Sequence, residues 1–341
     1  MILVRTPYRV SLFGGGTDYP EWFREHSGCS LGFAIRNYCY VGAKFLPPGQ
    51  EEINYRIGYS RIEDRASIEE IHHPAVRGVL KFLACERQRL EIHHMGDYAS
   101  GSGLGASSAF VVGLLHALRR LLQLNVSFSC AQHKLAQDAI YVERRVIQET
   151  VGCQDQIITA LGGMRWTEFF RGDPEEEAHC FHSRDCGVTP DRQSRLVKNL
   201  LLVHTGAARL AHEMAAKQLL SIAQNIDHLR SIHDIAMRAQ DVLTSSTASL
   251  DEIGALLGDT WDAKRHLHHE ISSPRIDELY ERALKLGALG GKLLGAGGGG
   301  FMLFYVPQIA QLHFIDGISA PWARVQVCHR GTHTVINEET T

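Results

Sequence analysis

A glycine-rich segment in the middle of the chain constrains the fold more than any other feature of the sequence. Glycines occupy positions 101, 103 and 105, and serines follow at positions 107 and 108. From there to position 122 the chain is apolar almost all round, which predicts a helix that is buried on most of its faces. The segment therefore predicts a sharp loop that opens directly into a core helix.

Such a loop is suited to binding phosphate. Backbone N–H groups can converge where glycines alternate, and the N-terminus of the helix adds unpaired donors and the positive end of its dipole. The alternative is a plain tight turn in which a serine caps the helix. The loop alone leaves both interpretations open. The candidate phosphate-binding residues are Gly101, Ser102, Gly103, Leu104, Gly105, Ala106, Ser107 and Ser108.

Two better-known glycine motifs are excluded. A P-loop requires G-x-x-x-x-G-K-[ST], but the nearest segment, residues 287–292, has one residue too few and is followed by leucine. A G-x-G-x-x-G pattern occurs at Gly295, Gly297 and Gly300. However, a predicted helix precedes it and a predicted strand follows it, which is the reverse of the order in a dinucleotide-binding fold.

Two acidic residues could support phosphoryl transfer at this loop. Glu143 lies within a predicted helix, and Asp155 follows twelve residues later. Phosphoryl transfer needs a Mg²⁺ ligand and a group that orients or deprotonates the acceptor hydroxyl, so two acids and a serine hydroxyl would suffice. Each acid also has a plain alternative. Glu143 could be a solvated residue that pairs with Arg144 or Arg145, and Asp155 could be a helix N-cap.

Glycines cluster again near both ends of the chain. Near the N-terminus, Arg9 and the glycines at 14–16 lead to Asp18, which could accept hydrogen bonds from sugar hydroxyls. The alternative for this segment is a bend with a capping aspartate. Near the C-terminus, residues 295–300 contain five glycines, which is more than a helix C-cap requires.

Composition and charge bound the class of protein. The chain has 341 residues, a net charge of −3 and a pI of about 6.7, so we expect neither a nucleic-acid partner nor a membrane partner. No apolar run approaches the ~20 residues that span a bilayer, and the N-terminus does not resemble a signal peptide. Eight scattered cysteines without a C-x-x-C pair indicate reduced thiols and a cytoplasmic protein. The sequence leaves a homodimer open.

The order of predicted elements indicates two lobes with interleaved strands and helices, of the α/β or α+β class. The polar segment 185–195 predicts a boundary that divides the chain into domains 1–188 and 189–341. Strands are predicted at 1–13, 32–45, 53–60, 90–94, 197–204, 301–306 and 323–329, and residues 164–182 are strand-like but interrupted by an acidic turn at 172–177. Helices are predicted at 19–26, 75–85, 107–122, 130–149, 156–161, 207–225, 226–245, 249–270 and 275–288.

In this order, the motifs resemble the GHMP kinase superfamily, which includes galactokinase, homoserine kinase and mevalonate kinase. An N-terminal substrate motif, a central ATP loop and a C-terminal glycine-rich motif carry the resemblance, which covers nearly the whole chain. It implies an α+β two-domain fold, with an N-terminal ribosomal-protein-S5-like lobe, a C-terminal ferredoxin-like lobe and the active site between them. ATP and Mg²⁺ are the implied cofactors, and a small phosphosugar is the implied substrate.

The resemblance also implies a role for each motif residue. Residues 101–108 would wrap the phosphates of ATP. Ser107 would be the Mg²⁺-binding serine, with Ser108 as its rival, and Glu143 would be the Mg²⁺ carboxylate. Asp155 would be the catalytic aspartate beside the acceptor hydroxyl, and Arg9 the arginine that pairs with it. The implied substrate-binding residues are Gly15, Gly16, Thr17, Asp18, Gly297, Gly298 and Gly299.

Within the superfamily, residues 5–20, 152–156 and 291–302 resemble most the branch of D-glycero-α-D-manno-heptose 7-phosphate kinases and fucokinase domains. Galactokinases carry Glu-His where this chain has Gly15 and Gly16, which argues against galactose as the substrate. The implied reaction is ATP-dependent phosphorylation of an anomeric hydroxyl, from heptose 7-phosphate to the 1,7-bisphosphate, in nucleotide-activated heptose synthesis. A fucokinase-like sugar 1-kinase is the alternative. A non-catalytic sensor of sugar and ATP would not need the four catalytic and metal-binding residues together.

Overall fold

The structure is a computed structural model and describes residues 1–49, 52–99, 101–124, 131–206 and 225–338. These residues form two β-sheets with helices packed against them, which confirms the predicted mixture of strands and helices. The helix predicted at 207–225 lies outside the described residues, apart from its last position. None of the helices in the described ranges is long and apolar enough to cross a membrane.

The elements have the following bounds. The strands are β1 (Ile2–Phe13), β2 (Gly28–Phe45), β3 (Tyr55–Gly58), β4 (Ile62–Arg65), β5 (Leu90–Gly96), β6 (Met164–Phe169), β7 (Phe181–Asp185), β8 (Leu200–His204), β9 (Gly290–Leu293), β10 (Phe301–Tyr305), β11 (Trp322–Arg324) and β12 (His333–Asn337). The α-helices are α1 (Pro20–Phe23), α2 (Pro74–Phe82), α3 (Ala106–Leu121), α4 (Ala131–Tyr141), α5 (Gln154–Leu161), α6 (Pro190–Lys198), α7 (Ile226–Thr244), α8 (Asp251–Arg265), α9 (Pro274–Lys285) and α10 (Gln311–Gly317). A π-helical turn, Val142–Val146, follows α4, and 3₁₀ turns lie at Pro174–His179 and Gln308–Ala310.

The first sheet has eight strands and branches at the long strand β2. Its main order is β12–β1–β2–β5–β3–β4, and β6 and β7 extend it from β2. Residues 39–45 of β2 pair with β5, whereas residues 28–33 pair with β6. Helix α3 shares its core with these strands, and residues 108–115 are all buried, as the apolar pattern predicts.

The second sheet has four antiparallel strands in the order β11–β8–β10–β9. Helix α8 packs so closely against it that a Cβ atom at Gly290 would lie 2.0 Å from the carbonyl oxygen of Gly254. Strand β12 then returns to the first sheet and pairs with β1. The domain boundary between residues 188 and 189 stays a proposal. Strand β12 belongs to the first sheet, although its residues lie in the proposed second domain.

Three predictions of local structure need correction. Residues 197–204 are not one strand, because α6 runs to Lys198 and β8 begins at Leu200. Pro190 begins that helix, since a proline in the first turn needs no N–H partner. The predicted helix at 130–149 is described from residue 131 and changes into the π-helical turn after Tyr141. The strand predicted at 323–329 covers only Trp322–Arg324, and β12 was not predicted.

Candidate active site

A cavity of about 280 Å³ lies where the central glycine loop meets the N-terminal and C-terminal motifs. The sequence-predicted residues that line it are Arg9, Gly15, Gly16, Asp18, Gly101, Ser102, Gly103, Gly105, Ala106, Ser107, Ser108 and Asp155. The predicted residues that do not line it are Thr17, Leu104, Glu143, Gly297, Gly298 and Gly299. Most of the predicted site is therefore brought together in space.

Arg9 and Asp155 form the central contact of the cavity. The Nε and Nη2 atoms of Arg9 donate to the two carboxylate oxygens of Asp155 at 2.7 and 2.6 Å. The Nη1 atom of Arg9 donates to the carbonyl oxygen of Gly103 at 2.5 Å. Asp155 lies inside α5, whose N-cap is Cys153, so the interpretation of Asp155 as a helix N-cap is wrong. One buried arginine thus fixes both the acid and the glycine loop.

The glycine loop is built to expose backbone donors. Gly105 is the N-cap of α3, with a φ of 73°, and no side chain caps the helix. A serine-capped turn, the plain alternative for this segment, is therefore wrong. The first turn of a helix has N–H groups without intrahelical acceptors, and Ala106, Ser107 and Ser108 of that turn line the cavity. A helix N-terminus with free N–H groups can bind an anion.

Glu143 is buried behind the loop. The hydroxyl of Ser108 donates to its Oε2 atom at 3.0 Å, and the side-chain amide of Gln156 donates to the same oxygen. Burial, and then the charge of Glu149, raise the pKa of Glu143 to about 8. Arg144 and Arg145 both pair with Glu177 instead, so the interpretation of Glu143 as a solvated, arginine-paired residue is wrong.

The pair of Ser108 and Glu143 fits a divalent cation. The Oε1 atom of Glu143 is buried and has no hydrogen-bond partner, and oxygen donors of this kind are the ligands that Mg²⁺ prefers. The contact with Glu143 is made by Ser108, whereas Ser107, which the resemblance implied first, is exposed.

The N-terminal motif meets α5 through Asp18. Its carboxylate oxygens accept hydrogen bonds from the backbone N–H groups of Gly16, at 2.9 Å, and Gln154, at 3.2 Å. Burial raises the pKa of Asp18. A Cβ atom at position 152 would lie 2.1 Å from the Asp18 carboxylate, which explains the glycine there. The Thr17 hydroxyl lies 2.9 Å from two backbone carbonyl oxygens, so it holds this turn instead of lining the cavity.

The C-terminal glycine motif packs against the central loop. A Cβ atom at Gly295 would lie 2.8 Å from Gly103 Cα, and one at Gly300 would lie 2.5 Å from the Ser102 carbonyl oxygen. Gly298 donates its N–H to the carbonyl oxygen of Ile271 at 2.9 Å. The motif therefore reaches the cavity through Gly295 and its neighbour Ala296, whereas residues 297–299 lie outside the lining.

Known protein families match two parts of the chain. The family description "GHMP kinases N terminal domain" matches residues 74–163, and "GHMP kinases C terminal" matches residues 246–311. The chain thus matches both domains of the GHMP kinases. The predicted α+β fold of this family and the prediction of a sugar kinase, a phosphotransferase, are confirmed. GHMP kinases use ATP as the phosphate donor.

Three relatives illustrate the similarity. D-glycero-alpha-D-manno-heptose 7-phosphate kinase of Campylobacter jejuni is 25% identical in an alignment 339 residues long that covers 95% of each chain. The bifunctional fucokinase/GDP-fucose pyrophosphorylase of Arabidopsis thaliana is 27% identical over 88% of this chain but only 29% of its own length. A crystal structure of a D-glycero-D-manno-heptose 1-phosphate kinase from Bacteroides thetaiotaomicron superposes with a TM-score of 0.78, at 20% identity, over 99% of this chain and 100% of that one. The last similarity shows the fold.

Sequence reasoning missed two polar residues of the cavity and did not place a third. Lys264 could reach a substrate phosphate, but the sequence alone does not place it, and Lys292 and Gln154 were not singled out; all three line the cavity. The Oε1 atom of Gln154 is buried without a hydrogen-bond partner. Signals were present in the sequence: Lys292 is a lone charge in an apolar strand beside the glycine run, and Gln154 directly precedes Asp155.

Proposed function

We propose that this protein transfers the γ-phosphoryl group of ATP to the anomeric hydroxyl of a sugar. The bidentate contact between Arg9 and Asp155 carries the proposal. It holds an acid at the cavity wall, and the same arginine also binds Gly103 of the glycine loop. Asp155 is still 24% exposed, so it can meet an acceptor hydroxyl in the cavity.

Each part of the site then has one task. Backbone N–H groups of the loop and of the first turn of α3 bind the phosphates of ATP. Asp155 receives the proton of the acceptor hydroxyl while the bond from that oxygen to the γ-phosphorus forms and the bond from phosphorus to the ADP oxygen breaks. Arg9 keeps the carboxylate oriented during this step.

Mg²⁺ is proposed as the cation of the site, with Glu143 and Ser108 as the residues that would hold it and Ser107 as the rival serine. The partnerless Oε1 atom of Glu143 supports this assignment. When bound, the cation supplies positive charge that neutralises the phosphate oxygens.

We propose D-glycero-D-manno-heptose 7-phosphate as the sugar, with the 1,7-bisphosphate as the product for nucleotide-activated heptose synthesis in the cytoplasm. Full-length similarity to the Campylobacter jejuni enzyme supports this choice. A fucokinase-like activity is the second candidate, supported by the similarity to the Arabidopsis thaliana protein. Asp18, Gly15, Gly16 and Gln154 would contact the sugar, since they line the cavity beside Asp155.

Release of ADP with a panel of sugars tests the proposal. The purified protein is incubated with Mg-ATP and heptose 7-phosphate, heptose, fucose, mannose or galactose, and ADP is measured. We expect the fastest release with heptose 7-phosphate. Faster release with fucose would support the second candidate, and no sugar-dependent release would contradict both.

A further inference from the structure

Two buried lysines line the cavity without a part in the chemistry described so far. Lys264 lies near the end of α8 and is 8% exposed, and Lys292 lies in β9 and is 3% exposed. Lysines are almost never buried to this extent unless their charge has a partner. Their position in the wall of a substrate cavity suggests that the partner is a ligand.

Each ammonium group is positioned by backbone carbonyls. The Nζ atom of Lys264 donates to the carbonyl oxygen of Leu293, at 2.9 Å, and to that of Gly295. The Nζ atom of Lys292 donates to the carbonyl oxygens of Ser11 and Leu12 at 3.0 and 2.9 Å. An ammonium group has three N–H donors, so each lysine keeps one beyond these contacts.

The charges of these lysines are poorly compensated by protein groups. Asp18 is the carboxylate whose charge acts on both, but its oxygens already accept hydrogen bonds from Gly16 and Gln154. Burial, and then the positive charge of Arg9, lower the pKa of Lys264 to about 7. Burial and the charge of Lys264 also lower the pKa of Lys292. An anion in the cavity would stabilise the protonated forms of both.

The contacts of the two lysines suggest different tasks. Lys292 binds two carbonyl oxygens of β1 and so ties the second sheet to the first. Lys264 binds the segment that leads into Gly295, which itself lines the cavity together with Leu267. The phosphates of ATP already have the glycine loop and the first turn of α3 as their proposed site. Lys264 is therefore the better placed of the two for an additional anion.

We propose that the ammonium group of Lys264 binds the phosphate that the acceptor sugar already carries, so that the enzyme prefers a phosphorylated sugar to its unphosphorylated form. The inference rests on the proposed function and deepens it, because it names the group that selects the substrate class. A charge-assisted hydrogen bond to a phosphate dianion in a buried cavity is strong enough to decide between the two sugars.

The test compares two acceptors in the variant Lys264→Met. Steady-state kinetics are measured with D-glycero-D-manno-heptose 7-phosphate and with the unphosphorylated heptose, at saturating Mg-ATP. We expect the KM for the phosphosugar to rise about tenfold to a hundredfold, as the loss of a charged hydrogen bond implies. We expect kcat/KM for the unphosphorylated sugar and the KM for ATP to stay nearly unchanged. Lys285→Met, an exposed lysine of α9, is the matched control and should behave as the wild type.

The test distinguishes the phosphate that the sugar carries from the phosphoryl group that ATP transfers. An equal loss of kcat/KM with both sugars would overturn the inference, because it would place Lys264 at the transferred phosphoryl group or in the support of the fold. An unchanged preference would overturn it as well. If the methionine variant does not fold, Lys264→Arg is tested instead, because it keeps the charge. This variant should still prefer the phosphosugar. Equal losses of kcat/KM with both sugars would again count against the inference. Equal turnover of both sugars by the wild type would refute the inference alone, whereas turnover of neither would refute the proposed function.

Discussion

Arg9 sets the positions of two parts of the site at once. Its guanidinium group donates to both oxygens of Asp155 and to the carbonyl oxygen of Gly103. A Cβ atom at Gly105 would lie 2.9 Å from the Cγ atom of Arg9, so the glycine there makes room for the arginine. Asp155 and the glycine loop are therefore fixed relative to each other by a single side chain.

Replacement of Asp155 tests its role as the proton acceptor. Asp155→Asn keeps the size of the side chain but removes the basic oxygen, and we expect kcat to fall by about 10²- to 10⁴-fold, the usual contribution of a general base. The affinity for ATP, measured by calorimetry with a non-hydrolysable analogue, should change little. Asp316→Asn, at an exposed position of α10, is the control. Turnover of Asp155→Asn near the wild-type rate would contradict the assignment.

Replacement of Gly152 tests how closely the N-terminal motif meets α5. In Gly152→Ala the new Cβ atom would lie 2.1 Å from the Asp18 carboxylate, so Asp18 must move away from its two backbone donors. We expect a lower melting temperature and a raised KM for the sugar. Gly42→Ala is the control, since the nearest atom to its Cβ is 3.9 Å away, in Leu3. Equal melting temperatures and equal KM values for the two variants would show that this contact is unimportant.

Single residues differ in how far the sequence predicts them. Arg9, Asp155 and the glycine loop could be predicted because each belongs to a short motif. Which of Ser107 and Ser108 contacts Glu143 could not be predicted, because neighbouring helix residues point about 100° apart and the outcome depends on where the helix begins. Lys264 and Lys292 meet in the cavity only after α8 has packed on β9, which no local pattern encodes.

Among the elements, the π-helical turn Val142–Val146 matters most for the site. It contains the buried Glu143, and the next residue, Arg144, donates to the carbonyl oxygen of Val151 and to the carboxylates of Glu21 and Glu177. π-Helical turns often occur at functional sites. The turn thus positions the metal-binding candidate and the loop that leads to Asp155.

Glu177 holds this turn in place through ion pairs, and its replacement tests that role. Its carboxylate is 4% exposed and pairs with Arg24, Arg144 and Arg145. Glu177→Gln leaves these guanidinium groups without their buried counter-charge, and we expect a loss of about 3–5 kcal/mol in the free energy of unfolding. Urea denaturation measures the loss, and kcat should fall with it because Val151 shifts. Stability equal to that of the exposed control Glu175→Gln would contradict the account.

The sequence predicts α4 but not the change to a π-helical turn. The helical pattern continues through residues 142–149, so periodicity gives no reason to end the α-helix at Tyr141. The change accompanies tertiary contacts, namely those of Glu143 with Ser108 and of Arg144 with Glu177. The same holds for α6, whose Pro190 is compatible with both a boundary and a helix start.

On the scale of the whole molecule, the two ends of the chain meet in one sheet. Strand β12 pairs with β1, and His116 of α3 lies beneath it. The ring nitrogens of His116 lie 3.3 Å from the hydroxyl of Thr332 and 3.2 Å from that of Thr334. Burial, and then the charge of Arg120, lower the pKa of His116 to about 4, so this histidine is neutral near pH 7.

The partly buried His116 predicts a dependence of stability on pH. An unfolded chain protonates this histidine near pH 6.5, whereas the folded protein does so only near pH 4. The unfolded state therefore binds more protons in this window, and the free energy of unfolding should rise between pH 4 and 6.5, by up to about 1.4 kcal/mol for each unit of pKa difference.

Comparison of variants isolates the contribution of His116. His116→Gln should show a smaller rise of unfolding free energy between pH 4 and 6.5 than the wild type, measured by urea denaturation. His269→Gln, at a side chain that is 82% exposed, should retain the wild-type slope. Equal slopes in all three proteins would show that His116 titrates normally.

The sequence predicts two lobes but not the path of the last strand. The pattern of strands and helices and the polar segment at 185–195 indicate the two halves. Strand β12 has only five residues and no distinctive sequence pattern. Its pairing with β1 joins residues more than 300 positions apart. Local patterns cannot specify such a partner, so only the assembled sheet reveals it.

The position of the new phosphate tests the central claim most directly. Heptose 7-phosphate is incubated with the enzyme and Mg-ATP, and the product is examined by ³¹P–¹H correlation NMR. We predict a second phosphorus signal that correlates with the anomeric proton and that grows about 10²- to 10⁴-fold more slowly with Asp155→Asn. A product phosphorylated at another hydroxyl, or transfer that proceeds equally well in Asp155→Asn, would contradict the assignment of this cavity as an anomeric sugar kinase site.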